Sequence, residues 1–381
     1  MWTRIIGAIV FTLFFGFFGF FSFFISMFMS SQNGYVYVGI IVAGILITVN
    51  MLILGVFDKL PKWAKILVPI SLFVVPLGGY GGYEFYINTI EIKNAEVDLT
   101  QYEPFNENTK VVKLDEPATF QIEKNPPEID GATALYPVYS AFARAVYPEG
   151  TYPHDNPQLS EVVVSKTNGA YKALAKFEAD IIFTAGPSSQ QRSELSDDMQ
   201  MIPIGKEGFV FFVHDSNPVK SLTIEDLQKI YSGEITNWKE VGGRNKDIIA
   251  FQRPEGSGSQ TGLQNMMGDI PIMTPPTDQR VGGMGGIIEK ASNYRNHRNA
   301  IGFSYRYFAT QMKEDHGIKL LKVNGVDPNV ESIKSGKYPL TGEFYAITNG
   351  SDHRHIEDFI DWILSEQGQR IIEKTGYVPI R

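Results

Sequence analysis

The chain has 381 residues, with 34 lysines and arginines against 42 aspartates and glutamates, a formal net charge of −8, and no cysteine. That length exceeds one ordinary domain and allows a membrane part plus a globular part of two lobes. The acidic balance excludes a nucleic-acid partner, which needs a broad basic face; the lack of cysteine excludes disulfides, thiolate metal sites, a cysteine nucleophile and a lipid-modified N-terminal cysteine.

Charge is sparse at the start. Residues 1–87 hold only Arg4, Lys59, Lys62 and Lys65 against Asp58 and Glu84, a balance of +2 that leaves about −10 downstream. The same stretch contains three apolar runs, about 5–29, 35–57 and 66–87, each near the ~20 residues that cross a bilayer. A membrane anchor of three transmembrane helices is therefore predicted over residues 1–87. The first run is rich in phenylalanine, longer than a secretory h-region, and followed by Ser30, Ser31, Gln32 and Asn33 without a small-residue cleavage pattern, so it reads as retained. Arg4 and the lysines of "DKLPKWAK" mark the cytoplasmic side. The N-terminus is then inside, and everything after about residue 88 lies outside the cell membrane. Pro69, Pro76 and the "GGYGG" of 78–82 are expected to bend or loosen the third span.

Residues 88–127 are mixed and polar and read as a tether carrying one or two short strands such as "ATFQIE". From Asp130 onward, strand-like runs ("EVVVS", "ADIIFTA", "GFVFFVH", "DIIAFQR", "AIGFSYR", "GEFYAIT") alternate with helical stretches, the pattern of an α/β domain. "TIED" before "LQKIYSG" is a capping box with Thr223 as N-cap, and Gly233 is a natural stop. Near the C-terminus Ile356, Phe359, Ile360, Ile363 and Leu364 fall on one helical face and are expected in the core, as is Trp362 beside them.

The segment "RPEGSGSQTG" follows a predicted strand and opens a predicted helix. Gly256 and Gly258 sit where backbone comes close to something, the next amides are unsatisfied helix-start donors, and Arg253 adds a permanent charge able to grip two oxygens. That combination attracts anions, although a structural turn with a surface arginine would also explain the segment taken alone. It has no P-loop lysine, no third glycine of a dinucleotide fingerprint and no nucleophile elbow. "GGMGG" at 282–286 reads as a flexible loop. "DGATALYPV" and "SKTNGAYKALAKF" place Thr133 and Thr167 at two further helix starts, and in α/β sheets the loops at the strands' carboxyl ends meet in one crevice.

"DGATALYP", "SLTIEDLQKIYSGEITNWKEVGG", "FQRPEGSGSQT", "NAIGFSYRYF" and "SEQGQRIIEKTGYVPI" together resemble the phosphate-binding proteins of bacterial ABC-type phosphate importers, from about residue 110 to the C-terminus. The resemblance implies a periplasmic-binding-protein type II fold: two α/β lobes, joined by crossing strands at 208–213 and 342–348, with an oxyanion in the cleft. Lobe 1 would comprise 115–212 plus 342–381, and lobe 2 213–341. Carried over by motif, the ligands are Thr133 and the amide of Ala134, Thr167, Thr184, Arg253, Ser257, Gly258 and Ser259, with Glu255 orienting the arginine. The implied partners are inorganic phosphate or a similar oxyanion and an ABC transporter permease; no catalytic residue, metal or cofactor is implied.

One departure matters. Family members place a carboxylate after the strand matching "IIFT" to accept the proton that phosphate keeps near neutral pH, and here Ala185 falls there. Asp180, Asp130 or a backbone carbonyl would have to take that role, against structural readings of both aspartates as a strand-end charge and a loop cap. Two rival functions stay open. A phosphate-ester hydrolase would need a nucleophile with a base or metal, yet His154, His214, His297, His316, His353 and His355 are scattered, and "DHRH" at 352–355 reads as a solvated helix start. A signalling or adhesion protein that kept the fold and lost its ligand would be favoured by Ala185.

Overall fold

The computed structural model describes residues 1–29, 34–90, 98–275, 297–312 and 317–380, and the chain divides into two compact units, Met1–Ile90 and Glu91–Arg381. The "GGMGG" loop and His316 lie outside the described residues.

In the first unit, α1 (Trp2–Met29), α2 (Gly34–Ile53) and α3 (Lys62–Ile90) are each long and apolar enough to cross a membrane. Phe14, Phe17 and Phe20 of α1 are more than half exposed, an arrangement costly in water and suited to lipid. Small residues bring the helices together: a Cβ on Gly19 would lie 2.4 Å from Val42, and one on Gly44 2.5 Å from Phe73. Asn50 Nδ2 donates to Thr12 Oγ1 (2.8 Å) and Tyr37 Oη to Glu84 Oε2 (2.5 Å), so the polar side chains pair between helices. α3 runs unbroken through Pro69 and Pro76. A proline forfeits one ladder bond, which a helix can absorb without ending.

The second unit contains β1 (Ile129–Gly131), α4 (Tyr136–Val146), α5 (Lys166–Ala175), β2 (Ile181–Thr184), α6 (Ser189–Ser193), β3 (Met199–His214), β4 (Ser221–Leu222), α7 (Ile224–Ser232), β5 (Ile249–Ala250), α8 (Gly258–Met267), β6 (Ala300–Tyr305), β7 (Ile318–Leu320), β8 (Lys322–Val323), α9 (Val330–Lys334), β9 (Thr341–Asn349), α10 (Ile356–Leu364), α11 (Glu366–Thr375) and β10 (Val378–Pro379). β3 is the strand shared by both lobes. Its first half pairs antiparallel with β9 and β10, and β9 continues to β2 and β1. Beyond Gly208 it pairs with β6 and β7 instead, and β6 carries β5 in parallel. "EVVVS" contributes only a bridge at Val162, and "DIIAFQR" the two residues of β5 and a bridge from Asp247 to Asn237.

Two cores result, one around Tyr139, Phe142, Phe183, Phe359 and Ile363, the other around Phe211, Leu227, Tyr231, Trp238 and Phe303. Thr341 enters β9 opposite Gly208, so the two connections between lobes lie side by side, and the β3–β9 register shifts between Pro203 and Gly205. Beside this crossing Arg306 Nε meets Glu207 Oε1 at 3.1 Å, both nearly sealed from water. Burial pushes the Glu207 carboxyl up in pKa, while Arg306 and the amides of Gly208 and Tyr307 pull it back.

The tether expectation needs correction. Residues 98–127 hold no strand; after a 3-10 turn over Leu99–Tyr102 the chain is irregular, and "ATFQIE" is not extended into a sheet. The segment lies against the first core instead. Tyr102, Val111 and Ile122 are at most 5% exposed, Ser140 Oγ donates to Tyr102 O, and Arg144 Nη1 donates to Val111 O at 2.6 Å. Irregular backbone fits here because its carbonyls find side-chain donors.

Candidate functional site

β5 leads into the arginine loop. Gln260, in the first turn of α8, is buried and fastens that loop: its Oε1 accepts from the Arg253 amide (2.9 Å) and its own amide donates to Ser257 Oγ (3.3 Å). Ser257 is thus the N-cap of α8. Gly256 has φ of 75°, a left-handed conformation that turns the chain back toward lobe 1. There the lobes touch. A Cβ on Gly258 would lie 3.0 Å from Thr167 Oγ1, and one on Gly256 3.2 Å from Asn168 Oδ1.

On the lobe 1 side, Lys166 takes φ of 66° and turns the chain into α5, with Thr167 buried one residue on. The loop before it is tied to β1: Asp130 Oδ1 accepts from the amides of Ser165 (2.7 Å) and Gly131 (2.6 Å), and Ser165 Oγ donates to Asp130 Oδ2. Thr133 and Ala134 follow in a short 3-10 turn, with the Ala134 carbonyl held by the Tyr377 hydroxyl. Tyr377 in turn stacks on Tyr307 beside the lobe crossing, ring centroids 4.3 Å apart. The starts of α5 and α8 therefore face each other, and the β1 loop is bound to the same α5 start.

Arg253 is the exceptional charge. Its Nε is cut off from water and has no hydrogen-bond partner among the described residues. Burial lowers its pKa. A guanidinium nitrogen kept from water without a partner is costly, so the geometry has room for an anion's charge. With the donors of an α8 start oriented by Ser257, and the Thr167 hydroxyl opposite, the crevice offers chiefly donors.

Two expected roles are not what the structure shows. Thr184 is fully buried, and its hydroxyl lies 2.8 Å from the Ala185 carbonyl and 3.0 Å from Tyr171 Oη. Both faces of β2 are covered, so a hydroxyl at that position turns inward rather than to the cleft. Glu255 is exposed and accepts from Gln264 Nε2 at 2.8 Å, leaving Arg253 without it. The substitutes considered for the missing carboxylate are also engaged. Asp130 holds Ser165, and Asp180 accepts from the Glu128 amide (2.9 Å) and Ser351 Oγ (2.6 Å). The Ala185 carbonyl is within bonding distance of both the Thr184 and Tyr171 hydroxyls, so its two lone pairs are used.

Gln191, Gln260 and Tyr377 were not singled out by sequence, and Asn168 only as a residue at a helix start. Only Gln191 had a readable signal, as the fourth residue of "SSQQ" after Pro187 in a Ser-x-x-Gln capping pattern. The described histidines do not converge. His353 Nε2 accepts from Asn125 Nδ2 (3.0 Å), its ring lies 5.7 Å from that of His355, and no group of three or more histidines and carboxylates placed to hold a metal occurs among the described residues.

A family model for the PBP superfamily domain matches residues 124–367. The phosphate-binding protein PstS of Borreliella burgdorferi is 30% identical over 182 residues, 46% of this chain and 64% of that protein. PstS of Bacillus subtilis is 28% identical over 179 residues, 45% of this chain and 55% of that protein. The chain thus spans less than two thirds of the length of either relative. Among solved structures, a putative phosphate ABC transporter substrate-binding protein with bound phosphate from Clostridium perfringens aligns with a TM-score of 0.51 and 26% identity, over 66% of this chain and 98% of that one. α1 to α3 lie outside the family match.

Proposed function

The chain belongs to the PBP superfamily, and on that premise we propose that its second unit is an extracytoplasmic binding unit for inorganic phosphate. The three N-terminal helices hold it in the cell membrane with the N-terminus inside. The observation that carries the reading is Arg253, whose Nε is cut off from water and has no partner among the described residues, in a loop that meets the start of α5 from the other lobe. Named relatives that are phosphate-binding proteins agree with it.

An anion enters between separated lobes, and closure brings the α8 start and Arg253 against Thr167 and the Thr133 loop. Closing excludes water, which strengthens every charge-assisted bond inside. Release needs the lobes to part again about the strands at 203–209 and 341–344. The recipient of the anion is an ABC transporter permease, and a role in reporting phosphate supply uses the same closure.

The test is calorimetry on the full chain in detergent after removal of endogenous anion. Saturable, one-to-one phosphate binding is expected; its absence refutes the reading. Steady hydrolysis of a phosphomonoester, with or without an added divalent metal, would replace binding with catalysis as the function.

A further inference from the structure

Away from the crossing strands, a hydrogen bond joins the lobes beside the arginine loop. Gln191 of α6 donates from Nε2 to the carbonyl of Gly256 at 3.2 Å, and Gln191 is 3% exposed. Its amide cannot turn freely. Oε1 accepts from the Ser188 amide at 2.9 Å while Ser188 Oγ accepts from the Gln191 amide at 3.3 Å, a reciprocal capping box. One end of the carboxamide is thereby committed to its own lobe and the other is aimed across the cleft. The receiving carbonyl is equally fixed, because Gly256 sits at φ of 75° and the next amide, Ser257, donates back to Pro254 O at 3.2 Å.

We propose that Gln191 is a closure latch: a positioning residue that holds the lobes together over a bound anion and sets how long it stays. The proposal rests on the binding reading above. α6 moves with lobe 1 and Gly256 with lobe 2, so the bond exists only when the lobes are closed; it lengthens past usefulness with about 1 Å of opening. Encounter takes place in the open state, where the latch is unmade. Its contribution therefore belongs to dissociation and to the open–closed balance.

Gln191→Met removes the cross-cleft donor without adding charge, and Gln191→Glu keeps the acceptor for the Ser188 amide while removing the donor. A single net hydrogen bond corresponds to a factor of about 2 to 12. In stopped-flow measurements on the full chain in detergent, with inorganic phosphate, Gln191→Met is expected to raise koff by about that factor and leave kon unchanged. Gln191→Glu is expected to raise koff at least as much, with any loss of kon abolished by salt. A residue that merely supports the fold would alter thermal stability without this split between rates.

The same variants are read without ligand by spin labels at Asp197→Cys in lobe 1 and Lys239→Cys in lobe 2, both exposed positions in a chain with no native cysteine. The interlobe distance distribution should shift toward open in both variants. If the wild type binds phosphate but Gln191→Met changes neither koff nor the distances, the latch is overturned while the binding reading stands. If the wild type binds no phosphate, the binding reading falls, and the ligand-free distances alone decide: a shift supports the latch and no shift overturns it.

Discussion

Replacing Arg253 by methionine should move binding and stability in opposite directions. Methionine keeps an unbranched stem of similar length and removes the charge. The loop does not depend on the guanidinium for its shape, because the Arg253 amide is held by Gln260 Oε1 at 2.9 Å and Gly256 and Ser257 are fixed by their own bonds. Nε is buried without a partner among the described residues, a burden of about 1–3 kcal/mol for an unsatisfied polar group whenever the lobes close without an anion. Removing it should therefore stabilise the protein without phosphate by at most that amount, up to a few degrees in the melting temperature of the second unit. With the anion present the sign reverses. Losing one partner of a desolvated charge pair costs about 2–5 kcal/mol, a factor of roughly 30 to 5,000 in Kd. Phosphate at about a hundred times Kd adds roughly 2.7 kcal/mol to the wild type and should add about 0.9 kcal/mol or less to the variant at the same concentration. Calorimetry and thermal unfolding, each with and without phosphate, measure all four quantities. An Arg253→Met protein that melts lower than wild type when empty, or binds phosphate within threefold, would show the arginine to be a structural group.

Two isosteric changes separate neighbouring threonines. Thr167→Val is expected to weaken phosphate binding by about 1–2 kcal/mol with little change in stability, whereas Thr184→Val, in the buried Tyr171 cluster, should lower stability by about 1 kcal/mol and leave Kd within twofold; titration and denaturant melts of both variants decide. Sulfate competition tests the donor-rich crevice: with no carboxylate at Ala185, the wild type should hold sulfate within about tenfold of phosphate, and Ala185→Asp should turn sulfate away far more than phosphate, since a site made to accept a ligand's proton rejects one that lacks it. Wild-type exclusion of sulfate by a thousandfold would contradict this.

Local signals were readable where one element makes them. The Thr223–Asp226 capping box forms as the sequence predicts, with Gly233 left-handed at φ of 84° beyond the helix. The stripe Ile356, Phe359, Ile360 and Ile363 is buried, and Trp362 joins the core edge-on to Phe142. What escaped depends on which neighbour is present. The direction of Thr184 is set by Tyr171, thirteen residues earlier on another element. Glu255 was expected to orient Arg253, but Gln264, two turns into α8, offers the nearer donor. Residues 98–122 have no period because they follow the surface of a core rather than forming an element, so composition alone suggested a linker. The Gln191 bond spans sixty-five positions of sequence and needs both lobes in place.

That docked segment decides where the binding unit can be cut from its anchor. Tyr102, Val111 and Ile122 insert into the first core, and fully buried side chains of this size are worth about 1.5–3 kcal/mol each. Together they approach the whole net stability of an ordinary domain, about 5–15 kcal/mol. A water-soluble fragment beginning at Asp98 would keep all three, while one beginning at Glu128 would leave three sockets open and aggregate. A protease cutting between Tyr102 and Glu128 would release no functional receptor, only one already losing its fold.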